Sequence, residues 1–166
     1  GARPVLLLDS GDFTMGSLFS WLNTSSAPSL ALMQQLGYDA VTLGNHEWDW
    51  PPDGLAGTLS AALQGGFSVP VVASNMIFSS DPGDDKIEAL WKAGVIRGKL
   101  VKTLPNGLKV GIFGLLGDGA QRDTPMADPV GFEEAAGAAR AMVKQLRDKD
   151  RVDLVICLSH SGMQTR

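Results

Sequence analysis

The sequence predicts an α/β fold, with a mostly parallel strand core flanked by helices and a hairpin added to it. Three observations carry that reading. Short apolar runs alternate with segments of helical periodicity. Three of the apolar runs end in polar loops that carry a group able to bind metal or move a proton. The chain has 166 residues, 44% apolar and 19% charged, which is the size and composition of one globular domain.

The elements follow in order. Residues 5–8 form a continuous apolar run that stops at Asp9-Ser10-Gly11-Asp12; this predicts a buried strand opening into a loop. Leu30, Met33 and Leu36 recur at helical spacing, with Pro28 near the start and Gly37 at the stop, as a helix requires. Residues 40–43 read as a second strand, ending at Gly44-Asn45-His46-Glu47. Leu55, Leu59, Ala62 and Leu63 suggest another helix closed by Gly65-Gly66, and residues 69–73 a third strand. Residues 79–85 read as a polar, Asp-rich loop. Residues 99–104 and 108–116 flank Asn106-Gly107, a hairpin signature. Phe132, Ala135, Ala139, Met142 and Leu146 mark a long amphipathic helix. Residues 152–158 form the last strand, which ends at Ser159-His160-Ser161-Gly162.

Composition narrows the partners. A net charge of −4 gives no electrostatic footprint for nucleic acid or an anionic membrane. No apolar run is long enough to span a bilayer, and the first residues do not read as a signal peptide. The single cysteine, Cys157, reads as a buried strand residue with no disulfide partner in the chain.

Asp12, Asn45 with His46, and His160 stand at three strand ends, where α/β sheets place their active sites. A carboxylate beside glycine can approach a cation closely, because Gly11 lets the backbone turn beneath it. Asn offers a neutral carbonyl oxygen, and His46 can serve as ligand or acid. Asp49, three residues on, can accept a ring N–H from His46 and fix its tautomer. Each of these residues alone also reads as an ordinary cap, turn or structural histidine. Three such accidents at three strand ends are less expected than one site.

The blocks Leu8-Asp9-Ser10-Gly11-Asp12, Gly44-Asn45-His46-Glu47-Trp48-Asp49 and Leu158-Ser159-His160-Ser161-Gly162 together resemble the calcineurin-like metallophosphoesterases, in their 5'-nucleotidase branch. The resemblance extends over essentially the whole chain. It implies a metallophosphoesterase-like β-sandwich core flanked by helices. It also implies that Asp12 bridges two divalent metal ions, Mn, Zn or similar, and that Asn45 and His160 bind the second. His46 then contacts the phosphate, paired with Asp49 as a catalytic dyad. The implied activity is hydrolysis of a small phosphate ester, a nucleotide foremost, by an enzyme of the periplasm or cell surface.

The family pattern also has an Asp-x-His motif before the Gly-Asp block and a Gly-His-x-His motif after the His-Ser-Gly block. Neither is among the 166 residues. The expectation is therefore a fragment of one metallophosphoesterase domain, incomplete at both termini and inactive by itself. Two alternatives stand beside it. One is a non-catalytic module of the same fold. The other is a haloacid-dehalogenase-like phosphatase, whose Asp-x-Asp motif the Asp9-x-x-Asp12 spacing does not match.

Overall fold

The computed structural model of the chain describes residues 4–15 and 18–162. In chain order the elements are β1 (Leu8–Asp9), α1 (Leu18–Ser26), α2 (Pro28–Leu36), β2 (Ala40–Thr42), α3 (Pro52–Gln64), β3 (Val71–Val72), β4 (Met76–Ile77), α4 (Asp85–Lys92), β5 (Ile96–Arg97), β6 (Leu100–Thr103), β7 (Lys109–Leu116), α5 (Asp118–Gln121), β8 (Gly131–Phe132), α6 (Ala135–Asp148) and β9 (Leu154–His160). Short 3₁₀ turns cover His46–Trp48 and Pro82–Asp84.

Two sheets form the body. The first is all parallel, in the order β1-β2-β3-β5, with helices in each crossover. The second has the order β6-β7-β9, antiparallel across the hairpin and parallel between β7 and β9. β4 and β8 make a separate antiparallel pair.

The two-residue period of a strand sorts side chains to opposite faces, and the core divides accordingly. Val41, Leu43 and Val71 pack toward the helices with Leu30, Leu55, Leu59 and Ile87. Ala40 and Val72, from the same strands, pack instead with Val110, Ile112 and Leu158 of the second sheet. Phe113 and Leu115 turn the other way and meet Ala138 and Leu146 of α6. The molecule is thus a β-sandwich with helices on both outer faces, the architecture that the resemblance implies.

Local signals set the helix ends. Proline occupies the first turn of α2 and of α3, where a missing N–H costs nothing. Gly37 closes α2 in the left-handed region, at φ 79°.

Several elements differ from the sequence expectation. The run at 5–8 is an edge segment: Val5 and Leu7 are exposed, and pairing begins only at Leu8. Phe132 belongs to β8, and the long helix starts at Ala135, capped by the Glu134 carboxylate. Cys157 does lie in a strand but is exposed, on β9 at the edge of its sheet. α1 and α4 had no counterpart in the sequence reading. Among the described residues no helix is long and apolar enough to cross a membrane.

Candidate active site

The site forms where the ends of β1, β2 and β9 meet. Register explains the meeting. β1 and β2 are parallel neighbours, so the loops after them leave the sheet on the same side. In the second sheet, Leu116 at the end of β7 lies opposite His160 at the end of β9, and Gly117 N–H donates to the His160 carbonyl at 2.8 Å. Asn75 ties the sheets together near this point. Its buried side chain accepts from Leu116 N–H at 3.1 Å and donates to the carbonyls of Leu116 and Glu133.

The first two loops interlock. Asp12 has a left-handed backbone, φ 66°, a region that Asp tolerates better than most residues. A Cβ on Gly11 would stand 2.3 Å from Gly44 N, and one on Gly44 would stand 2.2 Å from Asp12 Oδ1. Only two glycines allow the loops to lie this close.

A carboxylate that sequence reasoning gave no role holds the pair. Glu47 is 3% exposed. Its Oε2 accepts from Gly44 N at 2.6 Å and Asp12 N at 2.8 Å. Its Oε1 accepts from Thr14 N and Thr14 Oγ1, both at 3.0 Å. Burial pushes the Glu47 carboxyl pKa up, opposed by the bonds from Gly44 and Asp12. Its signal was invisible in sequence, because its partners are mostly backbone groups, two of the residues lying more than thirty positions away.

Asp12, Asn45 and His160 come together. His160 Nε2 lies 3.0 Å from Asn45 Oδ1 and 3.2 Å from Asp12 Oδ2. His160 Nδ1 donates to the Ser10 carbonyl at 2.9 Å, so in the neutral ring Nε2 presents a lone pair. Three lone pairs then face one another with no proton between them, an arrangement that a cation resolves. The spacing suits one: donors about 2.0–2.2 Å from a common ion, at octahedral or tetrahedral angles, stand about 2.8–3.6 Å apart. Among the described residues no three His, Cys, Asp or Glu side chains cluster as metal ligands; the third member of this group is the amide oxygen of Asn45. Asp12 Oδ1 meanwhile accepts from His46 N–H at 3.0 Å.

Asp9 turns back to its own loop and accepts from Gly11 N at 2.8 Å. Burial raises its carboxyl pKa, with the charge of Asp12 adding to the rise. The two acids thus face different partners, Asp9 the Gly11 N–H and Asp12 the His46 N–H and the His160 ring.

His46 stands beside this group with Asp49 against its ring: Nδ1 lies 2.9 Å and 3.1 Å from the two carboxylate oxygens. The hydrogen bond to Asp49 raises the imidazole pKa. In the neutral ring the bond fixes Nδ1 as the protonated nitrogen, so Nε2 carries the lone pair.

No family model matches the chain. Curated relatives do. It is 31% identical to a 5'-nucleotidase of Diplobatis ommata across 98% of its own length, and 28% identical to the trifunctional nucleotide phosphoesterase YfkN of Bacillus subtilis across 95%. The chain spans only 26% and 12% of those two proteins. The crystal structure of a 5'-nucleotidase precursor from Thermus thermophilus superposes with a TM-score of 0.76, at 30% identity, over 98% of this chain and 29% of that one. The crystal structure of YfkN, described as a calcineurin-like phosphoesterase, shares the fold at a TM-score of 0.71 and 24% identity, over 97% of this chain and 49% of that one. By sequence and by fold, the chain belongs to the calcineurin-like phosphoesterases, in the branch of the 5'-nucleotidases.

Proposed function

We propose that the protein to which this chain belongs hydrolyses phosphate esters, nucleotides foremost, with the help of divalent metal ions. The observation that carries this reading is the convergence of Asp12, Asn45 and His160 from three strand ends, at 3.0–3.2 Å. Relatives named as nucleotide phosphoesterase and 5'-nucleotidase support the substrate class.

Asp12 Oδ2, Asn45 Oδ1 and His160 Nε2 would hold one cation. When bound, such ions supply Lewis acidity at the phosphoryl oxygens and neutralise the charge that develops there. His46 holds a proton near the leaving-group oxygen, and Asp49 keeps its ring in the required tautomer and orientation. Glu47 fixes the Asp12 loop and touches no substrate.

Two-metal hydrolysis needs cations about 3.5–4 Å apart, and the described donors suffice for one ion. The 166-residue chain on its own should therefore bind Mn(II) and inorganic phosphate but turn over p-nitrophenyl phosphate and AMP slowly. The test is phosphate binding with and without Mn(II), in the chain and in His46→Ala. Binding should require Mn(II), and His46→Ala should weaken phosphate while sparing Mn(II). Phosphate binding indifferent to both would refute the reading.

A further inference from the structure

Asn45 and His46 are consecutive, yet they open onto different clefts. His46 and Asp49 line one of 280 Å³, whose lining residues include no Lys or Arg. Asn45 and His160 line the other, of 420 Å³, together with Arg122, Asp123 and Ser161. Arg122 follows directly on α5, the short turn of helix after β7. A Cβ on Gly119 would stand 4.0 Å from Arg122 Nη2 and 3.7 Å from the carbonyl of Ser161. The guanidinium therefore lies against the stretch of backbone that carries His160. Its hydrogen-bonding capacity is unused. Eight of the described lysines and arginines pair with a carboxylate or donate to a carbonyl. Arg147, Lys149 and Arg151 gather at the C-terminal end of α6, where a helix favours positive charge. Among the described residues, the Arg122 side chain makes no hydrogen bond or ion pair.

We propose that Arg122 is a substrate-binding residue, whose guanidinium donates to a non-bridging oxygen of the phosphoryl group seated at the Asp12–Asn45–His160 ion. The proposal rests on the phosphoesterase reading and adds to it a donor from this chain for the anion. Charge supports the assignment. Of the two clefts, only the one on the Asn45–His160 side offers a permanently charged cation, because a guanidinium does not deprotonate in proteins. A phosphoryl group bound to the ion presents further oxygens to the cleft. The planar fork of Arg matches such oxygens with charge-assisted N–H···O bonds. Asp123 lines the same cleft and repels a loosely held anion, so directed bonds from Arg122 decide where the anion sits. Size agrees as well: the volume lies within the range of small-ligand sites, about 300–1,000 Å³.

The test needs no turnover. The unaltered chain, Arg122→Gln and Arg122→Lys are titrated with inorganic phosphate by calorimetry at saturating Mn(II), after Mn(II) affinity has been read in each. Arg122→Gln should bind Mn(II) and melt as the unaltered chain does, because the side chain is exposed and unpaired. Its phosphate affinity should fall about tenfold, the low end for a hydrogen bond to a charged group. Arg122→Lys should recover part of that loss, since a point charge remains without the fork. Phosphate bound equally by all three proteins would overturn the proposal. A parallel loss of Mn(II) in Arg122→Gln would do so too, by assigning Arg122 to the fold of the metal site. Arg122→Lys binding phosphate as tightly as the unaltered chain would reduce the effect to net charge and overturn the donated bond. In each of these cases the phosphoesterase reading stands. Phosphate binding that is absent from the unaltered chain, or indifferent to Mn(II), would overturn that reading and this proposal together.

Discussion

At the scale of single residues, the ligating and acid–base candidates were legible because each stands in a chemically conspicuous turn. Only two histidines exist in the chain, and both lie at strand ends. Glu47 was not legible, since its function is to receive four hydrogen bonds from Gly44, Asp12 and Thr14. Glu47→Gln keeps one acceptor oxygen and turns an amide NH₂ toward backbone donors. It should cost about 1–3 kcal/mol of stability, the penalty of leaving buried N–H groups unpaired. It should also weaken Mn(II), because Asp12 loses the bond that sets its left-handed backbone. Urea unfolding and metal titration together check both.

His46 gives a second residue-scale prediction. Its pKa is raised in the fold, first by the Asp49 hydrogen bond. The protonated ring is therefore the favoured folded form. That stabilisation is complete below the unfolded value of about 6.5 and fades as pH rises through the folded value. In Asp49→Asn the carboxylate charge is gone, so the NMR titration midpoint of His46 should fall toward about 6.5. An unchanged midpoint would mean that Asp49 is only a turn residue.

At the scale of elements, regular patterns were readable and irregular ones were not. α2, α3, the β6–β7 hairpin and the later strands follow from periodicity, prolines and Asn106-Gly107. α1 escaped because its described side chains show no apolar stripe: Trp21 and Leu22 are exposed, and the buried one is Asn23. α4 escaped because it begins inside the Asp-rich stretch, at Asp85, where Ser79 N donates to the buried Asp84 carboxylate at 2.7 Å. The two sheets approach closely at Gly114 of β7. A Cβ there would stand 2.0 Å from Thr42 Oγ1 and 2.1 Å from the Val72 carbonyl. Because one neighbour is backbone, the space cannot be recovered by a rotamer change. Gly114→Ala should lower stability by about 3 kcal/mol, the upper end of ordinary overpacking. A thermal melt with no loss would show that the sheets separate more easily than the structure implies.

At the scale of the whole molecule, the sequence shows strands but not which sheet each one joins. Neighbouring runs such as 69–73 and 108–116 look alike in composition, yet β3 and β7 lie in opposite sheets of the sandwich. The sandwich itself was an inference from resemblance. Its consequence for function is that residues up to 150 positions apart, Ser10 and His160, come into hydrogen-bond contact. The body is a scaffold that brings two loops of one sheet against the end of a strand in the other.

The central claim is that Asp12, Asn45 and His160 hold a divalent cation while the His46–Asp49 pair beside them does not. Mn(II) titration followed by electron paramagnetic resonance tests it most directly. One Mn(II) per chain should bind with modest affinity, and His160→Ala and Asp12→Asn should abolish it. Asp49→Asn should bind as the unaltered chain does. Equal Mn(II) binding in all four proteins, or loss in Asp49→Asn with retention in His160→Ala, would contradict the assignment.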